Sequence, residues 1–254
     1  EEQGTFGCRN LVMGNPETAK YLLTAHYDTC AGMILPNFIT PCNVAIYLLY
    51  QFGLVFLMVI GAGTAGAAAG LLFGSEAVKW VSLAVYWLLL FLVIMGPANK
   101  TNANDNTSGV VTLLEIARTM PENQRHKVCF VLFDLEEAGL IGSASYRRKH
   151  KTASNNQIVL NLDCVGDGDH LMMFPTKKLR KDRRKMASLY RACGYFGPKS
   201  LLLCEKGVFA YPSDQKHFPY GIGICALRKR KKILYMSRIH TKRDTVLEQT
   251  NVNI

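Results

Sequence analysis

The sequence predicts an α/β fold: a mixed, mainly parallel central sheet with helices on both faces, plus a two-helix transmembrane hairpin inserted into it. Two observations carry that expectation. Through most of the 254 residues, short apolar runs alternate with helical patterns, an order that argues strands joined by crossover helices. Between Thr29 and Ser75, however, there is not a single charged side chain, a length of apolar chain that a buried core helix rarely needs.

The elements follow in order. "YLLTAHYD" (Tyr21 to Asp28) is a short apolar run closed by polar residues and reads as the first central strand. Val44 to Phe73 is almost wholly apolar or small, about 45 Å long if helical and more than a bilayer core requires. After "GSEAVK" a second charge-free run, Trp80 to Ala98, carries Trp80, Tyr86 and Trp87. Gly66 and Gly70 place small residues four apart, which lets two helices approach closely. "SGVVTLLEIARTM", "AGLIGSASYRRKH" and "RRKMASLYRACG" read as helices, and "VCFVLFDLEE", "QIVLNLDCVG", "HLMMF" and "GIGICAL" as strands. The expected organisation is one folded domain formed by residues 1–35 and 99–254, with 36–98 as the inserted hairpin.

Composition narrows the partners. The formal charge is +11, and the cations crowd into Arg147 to Lys151, Lys177 to Lys185 and Arg228 to Lys232. Such clusters form solvated faces or meet anionic lipid headgroups. No nucleic-acid motif accompanies them, and no nucleic-acid partner is expected. The eight cysteines include no C-x-x-C pair, which excludes a zinc ribbon or a thioredoxin-type motif. Isolated cysteines in apolar runs, Cys129, Cys164 and Cys225, read as small core residues of a reducing compartment. The chain starts at Glu1 without a Met or a signal-peptide pattern, so a missing leader or first helix is expected.

The acids and histidines gather where ligands collect in such sheets, at the carboxyl ends of strands. His26 and Asp28 end the first strand; two apart in an extended segment they share a face, so Asp28 is placed to support His26. Asp105 sits in a polar turn before a helix, Asp163 follows another strand, and His240 and Asp244 lie near the C-terminus. Asp134, Glu136 and Glu137 follow a further apolar run. Glu136 and Glu137 are adjacent despite their repulsion. Either they are a solvated strand end with an acidic first helical turn, or one binds a cation while the other handles a proton. Histidines and carboxylates without thiolates suit zinc or a similar divalent ion in an open catalytic site.

Taken together, H-x-D at His26 and Asp28, D-N-x-S-G from Asp105, the Glu136–Glu137 pair, Asp163 and the closing H-T-x-x-D-T from His240 resemble, in this order, the M28 family of zinc aminopeptidases. The loop Ser213 to Ile224 also resembles that family's S-D-x-x-x-F segment. The resemblance implies an eight-stranded mixed sheet of the zinc aminopeptidase/phosphorylase type with two zinc ions at its edge. It implies that Asp105 bridges the metals, that His26 and Asp163 complete one site, and that Glu137 and His240 complete the other. Glu136 then resembles the general base, with Asp28 and Asp244 behind the ligands. Two nearby cations would absorb the repulsion between the neighbouring acids.

The chain departs from the family pattern in three ways. The hairpin fills the normally short connection between H-x-D and the bridging Asp. Only fourteen residues follow His240, where a longer closing helix is usual. Ile239 stands where some relatives carry an oxyanion-supporting Tyr, and Tyr211 and Tyr220 are the nearby substitutes. The expected function is release of N-terminal residues from peptides by a zinc-dependent, membrane-anchored aminopeptidase. Alternatives on the same scaffold are a single-zinc glutaminyl cyclase and a non-catalytic scaffold that has lost its metals. The positive-inside tendency and the unpaired cysteines favour a cytoplasmic catalytic domain on a multi-pass membrane protein.

Overall fold

The computed structural model describes residues 1–33, 35, 37–193, 201–205 and 207–252. Residues 36 and 194, where a domain boundary and a helix end were expected, lie outside these. The chain opens with two short strands, β1 (Glu2–Gln3) and β2 (Arg9–Met13), before β3 (Tyr21–His26). Two long helices follow, α1 (Val44–Phe73) and α2 (Ser75–Met95). A wide turn, Ala103–Ser108, leads into α3 (Gly109–Thr119), and the short α4 (Glu122–Arg125) precedes β4 (Val128–Phe133). Then come α5 (Ile141–Lys149), α6 (Lys151–Ser154), β5 (Ile158–Leu162) and β6 (His170–Pro175). The remainder is α7 (Lys177–Lys181), α8 (Arg183–Cys193), β7 (Leu201–Leu203), β8 (Gly221–Arg230), β9 (Ile233–Tyr235) and α9 (Gln249–Val252).

The strand order is β1-β2-β4-β3-β5-β8-β6-β7, with β9 against β8, so the described sheet has nine strands rather than eight. Four pairings are parallel and four antiparallel. The parallel block that the sequence predicts, β4-β3-β5-β8, forms the centre. It is flanked by antiparallel partners, which makes the sheet more evenly mixed than expected. The four strands not read from sequence are β2, of five residues, and β1, β7 and β9, which at two or three residues are too short to carry a period. All six residues of β4 are buried, as a central strand covered on both faces requires.

On one face, Leu113 of α3 packs with Leu23, Phe130, Leu132 and Val165. On the other, Tyr146 of α5 meets Phe133 and Phe218, with ring centroids 5.6 and 6.3 Å away. Leu179 of α7 and Met186 and Leu189 of α8 cover Met173 and Ile222 farther along the sheet. Each fully buried Leu or Phe contributes roughly 1.5–3 kcal/mol relative to exposure. The sheet is therefore a rigid support for whatever stands on its edge.

The register explains that edge. His26 lies level with Phe133 and Thr24 with Asn161, so β3, β4 and β5 end together. The segments leaving them, which carry Asp28, Glu136, Glu137 and Asp163, start from one side of the sheet. Helices α1 and α2 form a hairpin that leaves the domain at this same edge: Ala31 pairs with Ala98 at its base. Farther out, Gly66 lies against Ser82 and the Val78 carbonyl, and Gly70 against the Val78 side chain. Both helices are long and apolar enough to cross a membrane, and their most apolar windows bury nothing within the protein. Phe38 stacks between Tyr50 of α1 and Tyr235 of β9, at centroid distances of 5.5 and 5.4 Å, and anchors the first turns of α1 to the domain.

Candidate metal centre

Asp105 stands in the wide turn before α3, 3% exposed. Its backbone is held by Asp244, whose two oxygens accept the N–H groups of Asn104 (2.7 Å) and Asp105 (2.9 Å). Asn106 completes the seat: its amide donates to the carbonyl oxygens of His26 and Leu162 and accepts the N–H of Cys164. The turn is thereby tied to the ends of β3 and β5. The Asp105–Asn106 peptide is cis.

The two oxygens of Asp105 face different histidines. Oδ1 lies 3.2 Å from His26 Nε2, and Oδ2 lies 3.0 Å from His240 Nε2. At the same Nε2 atom each histidine meets one further carboxylate: Asp163 Oδ1 is 3.7 Å from His26 Nε2, and Glu137 Oε1 is 3.4 Å from His240 Nε2. Two donor groups result, joined through one carboxylate. Within each of the sets His26–Asp105–Asp163 and Cys30–Asp105–Glu137–His240, one ligand atom per residue lies within 4.8 Å of every other. The structure therefore brings His26, Asp105, Glu137, Asp163 and His240 together. Glu136 joins them, in a further set with His26 and Glu137.

The supporting residues explain how neighbouring acids are held apart. Glu136 and Glu137 lie not on β4 but in the turn after it, where Leu135 and Gly139 take positive φ. Asp28 holds that turn by accepting both N–H groups, Glu136 at 3.0 Å and Glu137 at 3.1 Å. Its Oδ1 also faces His26 Nδ1 at 3.4 Å, within ion-pair reach but outside hydrogen-bond geometry. His26 thus presents Nε2 to the centre with a carboxylate behind the ring, the arrangement typical of metal-ligating histidines.

Electrostatics point to missing positive charge. Burial alone would lower the His26 and His240 pKa values. The neighbouring carboxylates outweigh it, Asp105, Asp163 and Asp28 for His26 and Asp105 and Glu137 for His240, and hold both well above the usual histidine range. Burial pushes the Glu136 and Glu137 carboxyls up, and nearby carboxylates add to it. Asp105 runs the other way: burial would raise it, but His240 and His26 hold it below the usual carboxylate range. Among the described residues, Asp105, Asp163 and Glu137 make ion pairs only with histidines. A cluster of buried acids with no Lys or Arg counterion is costly unless cations enter. The donor set of imidazoles and carboxylates fits zinc, so the residues present suit the group that the fold implies.

Two residues near the centre were not assigned from sequence. Asp214, fully buried on the Ser213–Ile224 loop, has no hydrogen bond to either carboxylate oxygen, and burial pushes its pKa to about 7. The S-D-x-x-x-F resemblance singled out its segment but gave it no role. Cys30 follows Asp28 by two residues and is 3% exposed. Of the two tyrosines considered near the site, Tyr211 donates its hydroxyl to the Asp163 carbonyl oxygen at 2.8 Å. Tyr220 instead lies under Lys178 and Lys185, away from the centre. Ile239 is packed in the core with Phe174 and Met236 and adds no polar group.

Comparison with known proteins identifies the family and the fold. The model of peptidase family M28 matches residues 91–252. That range includes Asp105, Glu136, Glu137, Asp163 and His240 but not His26, whose place rests on β3 alone. Over 67 residues the chain is 39% identical to aminopeptidase YwaD of Bacillus subtilis (strain 168), covering 25% of this chain and 15% of that protein. The crystal structure of the LapA aminopeptidase of Legionella pneumophila has the same fold, with a TM-score of 0.53 and 15% identity over 96% of this chain. LapB of Legionella pneumophila is similar over 62% of this chain and 45% of its own, with a TM-score of 0.45 and 17% identity. The chain spans about half the length of these solved relatives, 49% in the case of LapA.

Proposed function

The chain belongs to peptidase family M28, and from that premise we propose that it is a zinc-dependent aminopeptidase that removes N-terminal residues from peptides at a membrane. The observation that carries this reading is Asp105, whose two oxygens are each directed at a separate His–carboxylate pair. One carboxylate so shared suits two ions better than the single ion of a cyclase, and a full donor set argues against a scaffold that has lost its metals. Asp105, His26 and Asp163 would hold one zinc, and Asp105, Glu137 and His240 the other. Bound zinc supplies Lewis-acid polarisation of the scissile carbonyl and a more acidic water.

The chain's own residues do the rest. Glu136, half-buried and grouped with His26 and Glu137, takes the proton of the attacking water and passes it to the leaving amine. General bases of this kind contribute about 10²–10⁴-fold. Asp28 fixes the direction of Glu136 and Glu137 through their N–H groups and keeps the His26 ring in place. Asp244 does the same for Asp105.

The membrane half of the proposal rests on α1 and α2. Both ends of the hairpin meet at Ala31 and Ala98, which supports reading residues 1–35 and 99–254 as one domain on one side of the bilayer, with 36–98 as the membrane insert. At about 1.5 Å per residue α1 exceeds the hydrocarbon core, and the excess is accommodated where Tyr50 packs on Phe38 beside the domain. Of the three basic clusters, the tip between β8 and β9 is tied to this root through Tyr235. Its lysines would meet anionic headgroups in this reading, each worth on the order of 1 kcal/mol near the surface. The charge bias of the chain and its unpaired thiols are the support for a cytoplasmic orientation in this proposal.

Metal analysis of the protein purified in detergent, with a panel of aminoacyl amides, tests the chemistry. About two equivalents of zinc and chelator-sensitive release of the amine are expected; full turnover without metal would refute the reading. Protease digestion of sealed vesicles tests the side: a domain shielded on the outer or luminal face would reverse the orientation.

A further inference from the structure

The expected ligand set contained no thiolate, yet a thiol stands inside it. One sulfur of the chain, Cys30 Sγ, lies within 4.8 Å of ligand atoms of Asp105, Glu137 and His240, while those three lie within the same distance of one another. Donor atoms within that distance of one another can reach a single ion placed between them. The other set, His26, Asp105 and Asp163, offers only nitrogen and oxygen.

The backbone around Cys30 is fixed on both sides. Its carbonyl oxygen accepts the N–H of Asn99 at 2.9 Å, and Gly32 donates to the Pro97 carbonyl at 2.9 Å. Ala31 bridges Ala98, and Met33 donates to the carbonyl oxygen of His240 itself at 2.6 Å. The segment that carries the thiol is therefore pinned to the strand-like return from α2 and to another ligand of the same set. Cys30 is 3% exposed, so its sulfur faces the centre and not solvent. A small apolar core residue would explain burial; it would not explain a place among three metal-binding groups.

We propose that Cys30 is a metal ligand, its thiolate completing with Asp105, Glu137 and His240 the donor set of one of the two ions. This rests on the two-metal reading given above and goes beyond it. On binding, the thiol proton leaves to solvent and the sulfur lone pair forms the metal–sulfur bond. The two sites then differ in kind. The Cys30 site selects zinc, cobalt or cadmium over magnesium and manganese, because thiolate is a soft donor, whereas the His26 site discriminates less.

Cobalt provides the test. The metal-free full chain in detergent is titrated with Co²⁺, and the stoichiometry and near-ultraviolet spectrum are recorded together. A thiolate-to-cobalt charge-transfer band is expected to grow with one of the two equivalents. C30S is expected to lose that band while one ion binds as before and the other is weakened by at least about tenfold. The double variant C42S/C204S, which removes the exposed pair of sulfurs 3.5 Å apart, is expected to keep the band. Two bound cobalt ions without a band, or a band that survives C30S and vanishes in C42S/C204S, overturns the inference and leaves the two-metal reading intact. Failure to bind cobalt at all overturns both. Should C30S not fold, X-ray absorption of cobalt-loaded C42S/C204S decides: a sulfur neighbour supports the assignment, and a shell of nitrogen and oxygen alone ends it.

Discussion

Glu136 and Glu137 share a turn, a supporting carboxylate and nearly the same burial, yet they face different neighbours. Glu137 meets His240 at 3.4 Å, whereas Glu136 groups with His26 and feels Asp214 and Asp163. On the proposed reading, Glu137 is a ligand and Glu136 the base. Glu136→Gln keeps the shape but cannot accept a proton. It is expected to retain the full zinc complement and to lose about 10²–10⁴-fold in kcat. Glu137→Gln is expected to lose one ion preferentially, with an affinity cost above the roughly 10–100-fold typical of an outer partner. Zinc content measured beside kcat on one preparation separates the two. The opposite pattern would reverse the roles.

At the scale of elements, the hairpin and the wide turn before α3 are built on different principles. The turn is held by charge-assisted hydrogen bonds from Asp244 and by the amide of Asn106. The hairpin is held by close approach of small residues; in the proposed membrane setting, lipid would give no hydrophobic drive between the helices. A Cβ at Gly66 would fall 2.6 Å from the carbonyl oxygen of Val78, and a backbone atom cannot swing aside. Gly66→Leu is therefore expected to part α1 from α2 at a cost of about 1–3 kcal/mol. Cross-linking between cysteines placed on the facing helices should fall, while zinc stoichiometry stays unchanged, because the base of the hairpin is secured separately at Ala31 and Ala98. A matching loss of zinc would mean that the helices and the centre are not separable.

For the whole molecule, the buried acids make stability depend on pH and metal together. Asp214 titrates near 7 in the fold against an ordinary value of 3.8. The protonated form is thus favoured by folding, and the stability it contributes fades as pH rises from about 4 to about 7. Glu136 and Glu137 are raised and act with the same sign. The raised histidines add stability that is complete below about pH 6.5 and lost as pH climbs through their folded values. Asp105 alone opposes them: its contribution stands above its ordinary value and is lost only in acid. Metal-free protein should therefore melt at a lower temperature near pH 8 than near pH 6. Zinc at about 100 times its Kd should restore roughly 2.7 kcal/mol and flatten the dependence, since cations replace the protons. Thermal melts with chelator and with zinc check this. A metal-free Tm that rises over the same range would contradict the charge assignment.

What the sequence determined by itself was whatever a local pattern can encode. The continuous apolar run of β4, the period of α3 and the charge-free length of α1 and α2 each declare an element, because solvent or lipid acts on every residue in turn. The acids at strand ends were legible for a related reason: strands that run parallel in register finish at one edge, so His26, the segment after Phe133 and Asp163 were bound to emerge together. Tertiary structure alone decided the remainder. β1, β7 and β9 exist because a neighbouring edge supplies their hydrogen bonds, and two or three residues hold no period of their own. Tyr211 rather than Tyr220 reaches Asp163, and Asp214 is sealed without a partner, through the path of one loop across β5 and β8. Cys30 was given no role from sequence. It lies among Asp105, Glu137 and His240 only because the returning chain at Ala98 holds its backbone there, a contact between residues far apart in the chain that no local pattern records.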